Sequence, residues 1–427
     1  MNKIMIICNV GFIAVFIAAY SVNINLMFIA AIIPTAFILF NNNLSLGISE
    51  LFFLLPFSQT MTISTGTTSL FMLPKLALIF VYFAKNKFCI NKKMLLALTT
   101  LLVYSLLINV IKANFPIVRI LNLVLWFLIA FILCQTIKKA DDMKITSSSF
   151  VAGVIVTGVI GMLKDYLPNL AKYLISAQYL NESTGNIVQR FSGLWNDPNG
   201  YTIFLICSLF ALFWLINNKY LKIIGFAVFA AIISALGIMT LSKSCAILLI
   251  MFWAYFLISN QGMSMKQKLG FGFVFVVLCV LGASLYENEL SELVYRFTTS
   301  NQNGNGINFA ALTTHRSDIW NEYINAIWQG DFAFGFGIDA PLVGGYACHN
   351  TYLQLIYEWG IFGTLFYVVI WVCMVSKDKK AKQNYVPLFF LLVTIFFISC
   401  LYIESIYFMI PLVLCIGAVR RNDEEVI

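Results

Sequence analysis

The chain has 427 residues, 60% of them hydrophobic and 11% charged, with a net charge of +8 and a mean hydropathy of +0.87. A soluble globular chain carries about 25% charged residues, so the composition excludes a soluble domain and predicts an all-α, polytopic integral membrane protein. The positive balance does not point to nucleic acid, because the basic residues sit in short loops between apolar stretches, where they set membrane orientation.

A helix needs about 20 apolar residues to cross a bilayer. In chain order the candidate spans are 4–20, 24–40, 50–66, 68–84, 94–111, 116–136, 147–163, 199–216, 223–241, 244–260, 269–285, 350–375, 386–402 and 404–419. The first follows a single lysine and lacks a convincing cleavage site, which predicts an uncleaved span. The stretch 50–66 is rich in Ser and Thr. With 68–84 it reads either as two crossings or as a re-entrant pair, so the expected total is about 12–14 transmembrane helices. Residues 223–259 form a nearly unbroken apolar run. As one helix it would be roughly 55 Å long against a hydrocarbon core of about 30 Å. It must fold back at its one polar break, Leu241-Ser242-Lys243-Ser244, which puts Lys243 at the tip of a hairpin.

Basic clusters fix the sidedness. Lys85, Lys87, Lys92 and Lys93, then Lys138, Lys139 and Lys144, then Lys219 and Lys222, Lys266 and Lys268, Lys377 to Lys382, and Arg420 with Arg421 all fall on one side if the spans alternate. That predicts both termini in the cytoplasm. The chain then reads as a single transmembrane domain, 1–427, with two long outer loops at 164–199 and 287–348 that contain short amphipathic helices. The ten cysteines are scattered without a CxxC, so neither a disulfide framework nor a metal site is indicated.

The polar residues of the outer face carry whatever chemistry there is. Asp197 followed by Pro198 reads as an N-cap with proline in the first helical position. The positive end of that helix, with Arg190 nearby, is a plausible anion site; a capped helix with a surface arginine is the structural alternative. Lys243 is a second cation, unless it only snorkels to lipid head groups. Between Thr314 and Trp328, residues 319, 320, 323, 324, 327 and 328 are apolar at helical spacing. This predicts a helix lying in the interface, aromatic side down, with Arg316 in its first turn. Gly335-Phe336-Gly337 suits a tight turn. His349, one of only two histidines, precedes the span 350–375, where the helix dipole favours a neutral ring able to accept a proton. The alternative is a histidine that caps this helix and packs on Tyr346 or Tyr352. Glu358 lies nine residues on, about half a turn round, and is expected to pair with a cation such as Lys75 or Arg119 or to be protonated.

Four motifs in this order resemble the O-antigen polymerase and ligase superfamily of bacterial envelope glycosyltransferases. They are Arg190 to Asn199, the Leu-Ser-Lys-Ser turn at 241–244, Arg-Ser-Asp-Ile-Trp before Gly-Phe-Gly at 316–337, and His-Asn-Thr-Tyr-Leu-Gln-Leu-Ile-Tyr-Glu-Trp-Gly-Ile-Phe-Gly at 349–363. The resemblance covers the C-terminal half; the first 180 residues match only as a run of spans.

It implies a metal-independent, cofactor-free, inverting glycosyl transfer from undecaprenyl diphosphate on the periplasmic face of the inner membrane. Carried over, Arg190, Lys243 and Arg316 bind the diphosphate and His349 is the base, with Arg316 beside it as a catalytic group. Trp195, Asn199, Asn350, Tyr352 and Glu358 are the candidate acceptor-binding, sugar-binding or supporting residues. The hairpin position is often arginine in the superfamily; Lys243 keeps the charge and loses the bidentate geometry. The favoured activity is O-antigen polymerisation, with O-antigen ligation to lipid A core as the close alternative and a lipid-linked oligosaccharide flippase as a more distant one. The implied partners are the undecaprenyl-diphosphate-linked oligosaccharide, membrane lipids and a chain-length regulator protein.

Overall fold

The computed structural model describes residues 3–41, 43–64, 69–86, 92–114, 116–137, 140–174, 178–181, 186–259, 291 and 316–374. The expected spans 269–285, 386–402 and 404–419, most of loop 287–315, and the basic residues at 138–139, 266–268, 377–382 and 420–421 lie outside them. The chain gathers into two compact units, Met1–Val81 with Ile137–Arg296 and Tyr82–Thr136 with Phe297–Ile427.

Apart from one two-stranded hairpin, the described elements are helices: α1 (Lys3–Ser21), α2 (Leu26–Phe40), α3 (Leu44–Leu54), α4 (Met72–Asn86), α5 (Lys92–Ile111), α6 (Ile117–Thr136), α7 (Ala140–Met162), α8 (Pro168–Tyr173), α9 (Pro198–Asn217), α10 (Ile223–Met239), α11 (Lys243–Ser259), α12 (Arg316–Gln329) and α13 (Thr351–Met374). The hairpin pairs β1 (Gln178–Asn181) with β2 (Asn186–Gln189) in antiparallel register. Among the described residues, α1, α7 from Asp141 and α9 are long and apolar enough to cross a membrane, and shorter apolar helices accompany them.

In the first unit, α1 pairs with α2, α3 packs on α7, and α7 packs on α9, which also holds α10 and α11. Phe12, Phe16, Phe53 and Phe57 interlock edge to face or tilted at centroid distances of 5.0–6.4 Å. Such aromatic pairs fill volume without polar atoms to satisfy. Buried Glu50 lies among these helices; the amide of Asn9, oriented to satisfy both groups, donates to its two carboxylate oxygens at 2.9 and 2.8 Å. A carboxyl group between apolar helices needs such donors, because no water competes there.

The expected span 50–66 is not found as such. Its helix starts earlier, at Leu44, where the Asn43 side chain accepts from the Ser45 N–H, and it ends in a 3-10 turn at Leu55–Phe57. Beyond it the described residues 58–64 and 69–71 are not helical. The reason lies in their polar side chains, which bond backbone rather than face lipid: Ser69 Oγ donates to the carbonyl of Ser58 at 2.5 Å, Thr62 Oγ1 to that of Ser64 at 2.8 Å, and the Tyr20 hydroxyl to that of Thr60. Local side-chain bonds of this kind compete with helix.

The second unit is built from α5, α6, α12 and α13, with α5 against α13 and α12 across the start of α13. The expected span 350–375 is a broken helix. At Gly360 the backbone turns to φ 62°, ψ −175°, and the loop 332–337 docks into the break. The N–H groups of Phe336 and Gly337 donate to the carbonyls of Tyr357 and Glu358 at 2.9 and 2.8 Å. The N–H groups of Ile361 and Phe362 donate to those of Phe332 and Ala333 at 3.0 and 3.3 Å. Tyr104 of α5 donates to the Trp359 carbonyl at 2.7 Å and to that of Phe334 at 3.1 Å. Irregular backbone inside a span is tolerable where protein satisfies the freed groups, and here the loop meets four of them and Tyr104 a fifth.

Candidate functional site

In the first unit, the hairpin fold at 240–244 is present. Helix α10 ends at Met239, Leu241 takes the left-handed φ of 51°, and α11 starts at Lys243. Ser242 caps α11: its Oγ accepts from the Cys245 N–H at 3.3 Å. Asp197 caps α9 as expected, in extended conformation, its carboxylate accepting from the Asn199 N–H at 2.9 Å with Pro198 next in line.

These two helix starts meet. The Ser242 hydroxyl donates to Asn199 Oδ1 at 2.8 Å and shares a bond with Ser244 Oγ at 2.9 Å. Arg190, just after β2, reaches both. Its Nε donates to the Thr240 carbonyl at 3.0 Å and its Nη2 to Asn199 Oδ1 at 3.4 Å. The Phe191 N–H adds a bond to the Met239 carbonyl at 3.2 Å. So Arg190 sits at the C-terminal end of α10, where a cation is favoured, and beside the N-terminal ends of α9 and α11, which favour anions. Lys243 is half-buried in the first position of α11. The result is a half-buried guanidinium and two positive helix ends around Asn199, an arrangement suited to phosphate oxygens. Trp195 is 2% exposed, stacks obliquely on Phe204 at 4.9 Å and donates its indole N–H to the Pro56 carbonyl at 3.0 Å. That places it under the loop as support.

In the second unit, α12 turns part of its apolar side to protein, while Trp328 on the same helix stays exposed. Trp320, Tyr323 and Ile327 are buried against Ala340, Cys348 and Tyr357, with the Tyr323 and Tyr357 rings edge to face at 5.0 Å. The Tyr323 hydroxyl donates to the Tyr346 carbonyl at 2.8 Å. Leu353 and Ile356 of α13, partly buried, pack against the same cluster. Arg316 opens α12 and is half-buried; His315 lies outside the described residues.

His349 does not cap α13. The cap is Asn350, whose Oδ1 accepts from the Tyr352 and Leu353 N–H groups at 3.0 and 3.2 Å. His349 stands one residue before it at φ 52°. The ring is half-buried with Nδ1 inside the protein, and Tyr352, in the first turn of α13, is half-buried as well. Neighbouring Cys348 is buried, and burial pushes its thiol up to about 12, with the Glu358 charge adding to the rise. Burial likewise pushes the Tyr323 phenol up to about 12.

The expected pairing of Glu358 with Arg119 is corrected. Glu358, 3% exposed, accepts from Gln354 Nε2 at 2.8 Å and from the Asp339 N–H at 3.2 Å. Arg119 instead bonds the Asp339 carboxylate at 2.7 Å. Asp339 has a left-handed φ of 64°, which turns its side chain outward to Arg119 and its N–H inward to Glu358. Lys75 lies 5.7 Å from the Phe71 ring centroid in the first unit. Sequence reasoning missed Ser242 and Asp339 as organisers. Serine before a helix start was a signal for the first; nothing in the sequence singled out the second.

No family model matches the chain, and no solved structure matches it. Part of it is similar to a curated oligosaccharyltransferase. This relative is the ComP-specific O-oligosaccharyltransferase of Acinetobacter baylyi, 25% identical over 279 residues, 59% of this chain and 46% of the relative. The chain thus spans about half the length of the curated relative it matches.

Proposed function

We propose that this protein is a membrane glycosyltransferase that moves a glycan from an undecaprenyl-diphosphate carrier to a hydroxyl acceptor on the periplasmic face of a bacterial inner membrane. The observation that carries the reading is the convergence of Arg190 and the starts of α9 and α11 on Asn199. The similarity to an oligosaccharyltransferase supports it.

In this reaction the acceptor oxygen attacks the anomeric carbon of the donor, the bond from that carbon to the phosphate oxygen breaks, and the lipid diphosphate leaves with inverted configuration at the sugar. Arg190 and Lys243, in the first unit, are assigned to the diphosphate, whose charge grows as it departs. His349 is assigned as the base that takes the acceptor proton. Its placement outside the helix, with Asn350 doing the capping, supports that role. No metal is required by this assignment.

The outer-face placement draws support from loop pairings within the first unit. Lys144 lies over the Tyr220 ring at 4.8 Å, joining two stretches assigned to the cytoplasmic side. The Tyr173 hydroxyl bonds the Ile63 carbonyl, joining the first long outer loop to the outer end of the stretch 50–66.

Within this class we favour polymerisation of O-antigen repeat units. The second reading, transfer to a different acceptor as in O-antigen ligation, fits the relative equally well. Purified protein given lipid-linked repeat units in detergent tests both. Lengthened lipid-linked chains establish the polymerase, transfer only onto an added lipid A core establishes the ligase, and no transfer with either acceptor overturns the enzymatic reading in favour of transport. In cells, deletion should leave lipopolysaccharide capped by one repeat unit for a polymerase and bare core for a ligase.

A further inference from the structure

Asn199 stands between two groups of opposite charge. Its Oδ1 accepts from Arg190 Nη2 at 3.4 Å and Ser242 Oγ at 2.8 Å, while its Nδ2 donates to the Asp197 carboxylate at 3.0 Å. This orientation is chemically fixed, because the acceptor end meets two donors and the donor end meets an acceptor. Asn199 is 6% exposed and sits in the first turn of α9, so its side chain has little room to turn away.

We propose that Asn199 is an insulating spacer that keeps the Asp197 carboxylate off the Arg190 guanidinium, and so is a positioning residue for the donor diphosphate. The idea rests on the reading of Arg190 as a diphosphate ligand. The carboxylate is needed for a different purpose, the cap on α9, and is held to it by the Asn199 N–H at 2.9 Å. An arginine and a carboxylate one amide apart would otherwise close into a bidentate pair. Such a pair would cancel the charge that a phosphate has to meet. With Asn199 interposed, the amide oxygen faces the guanidinium with a partial charge only, and Ser242 holds that oxygen in place. The Nε bond to the Thr240 carbonyl is a second hold on the guanidinium.

The test uses full-length protein in detergent, with lipid-linked donor and with inorganic pyrophosphate as a competing inhibitor. Asn199→Ala should raise the donor KM and the pyrophosphate inhibition constant about tenfold, the scale of one charge-assisted contact, and lower kcat as well, because the leaving diphosphate gains charge in the transition state. Adding Asp197→Asn should restore both constants, since asparagine still caps the helix and brings no competing charge. A purely structural role for Asn199 predicts no such rescue. Unchanged constants in Asn199→Ala, a fall confined to kcat, or a double variant as poor as the single one would each overturn the spacer. If Asn199→Ala does not accumulate in membranes, Asn199→Ser with and without Asp197→Asn reads the same contrast. Arg190→Ala separates the two levels: constants unchanged there sink the diphosphate reading itself, whereas a tenfold loss there with none in the Asn199 variants sinks only the spacer.

Discussion

Gly335 and Gly360 face each other so closely that neither position has room for a β-carbon. A Cβ on Gly335 would collide with the Gly360 nitrogen, and one on Gly360 would lie 2.6 Å from the Gly335 nitrogen and collide with the Ala333 carbonyl. Both residues also have positive φ, 76° and 62°, where an L side chain is strained by about 1–3 kcal/mol. Gly360→Ala should therefore undock the loop 332–337 and lower the melting temperature in detergent by several degrees. Gly345→Ala is the comparison: it shares a positive φ of 80° but meets nothing within 4 Å, and it should cost only the backbone strain. Equal losses from the two variants would refute the packing argument.

The two acidic residues of the same region should differ sharply in weight. Arg119 and Asp339 are 39% and 44% exposed on their side chains, and a pair that open to solvent is worth about 0–1 kcal/mol. Glu358 is buried and satisfies two donors; losing it leaves both unmet at about 1–3 kcal/mol each. Thermal unfolding should rank Glu358→Ala well below Arg119→Ala. Raising the salt concentration should shrink the difference between wild type and Arg119→Ala.

Capping and catalysis should separate at adjacent positions. Asn350→Ala removes the cap of α13 and should cost about 1 kcal/mol of stability. His349→Ala removes no cap bond and should leave the melting temperature close to wild type while abolishing the long-chain product ladder in a deletion strain. Arg316→Ala should do the same. A normal ladder from His349→Ala, with normal membrane insertion, would remove it as the base.

Cys348 should resist alkylation. A thiol pushed up to about 12 by burial is almost entirely protonated at pH 8, and the thiolate is the reactive form. Mass spectrometry after maleimide treatment of folded protein should find Cys348 unmodified at that pH and modified after denaturation. Rapid labelling of the folded protein would show that the Tyr323–Cys348–Tyr357 packing is open.

Much of this architecture was legible in residue order. The cap at Asp197, the proline after it, the fold-back at 240–243 and the helix from Arg316 all follow from local signals, because one or two residues decide each of them. The break at Gly360 was not legible. Periodicity reads straight through it, since the flanking residues stay apolar and the compensating hydrogen bonds come from a loop about 25 residues upstream. The early end of the helix expected at 50–66 was hidden for a similar reason: Thr60, Thr62 and Ser69 look tolerable in a span until their bonds to backbone are known. For the candidate site, charge and position in sequence pointed to Arg190, Lys243, Arg316 and His349. The bridging role of Asn199 depends on Ser242, 43 residues away, and no local pattern carries that.

The hydroxyl of Tyr104 bonds a carbonyl 255 residues later in the chain. At synthesis rates of about 5–20 residues per second, α5 waits in the bilayer for roughly 13–50 s before Trp359 emerges to receive that bond. During that interval the Tyr104 hydroxyl lacks this acceptor, whereas Ser105 and Asn109 already bond carbonyls within α5. Biogenesis of the second unit is therefore a late event, and a ribosome stalled before residue 359 would leave α5 a substrate for membrane quality control.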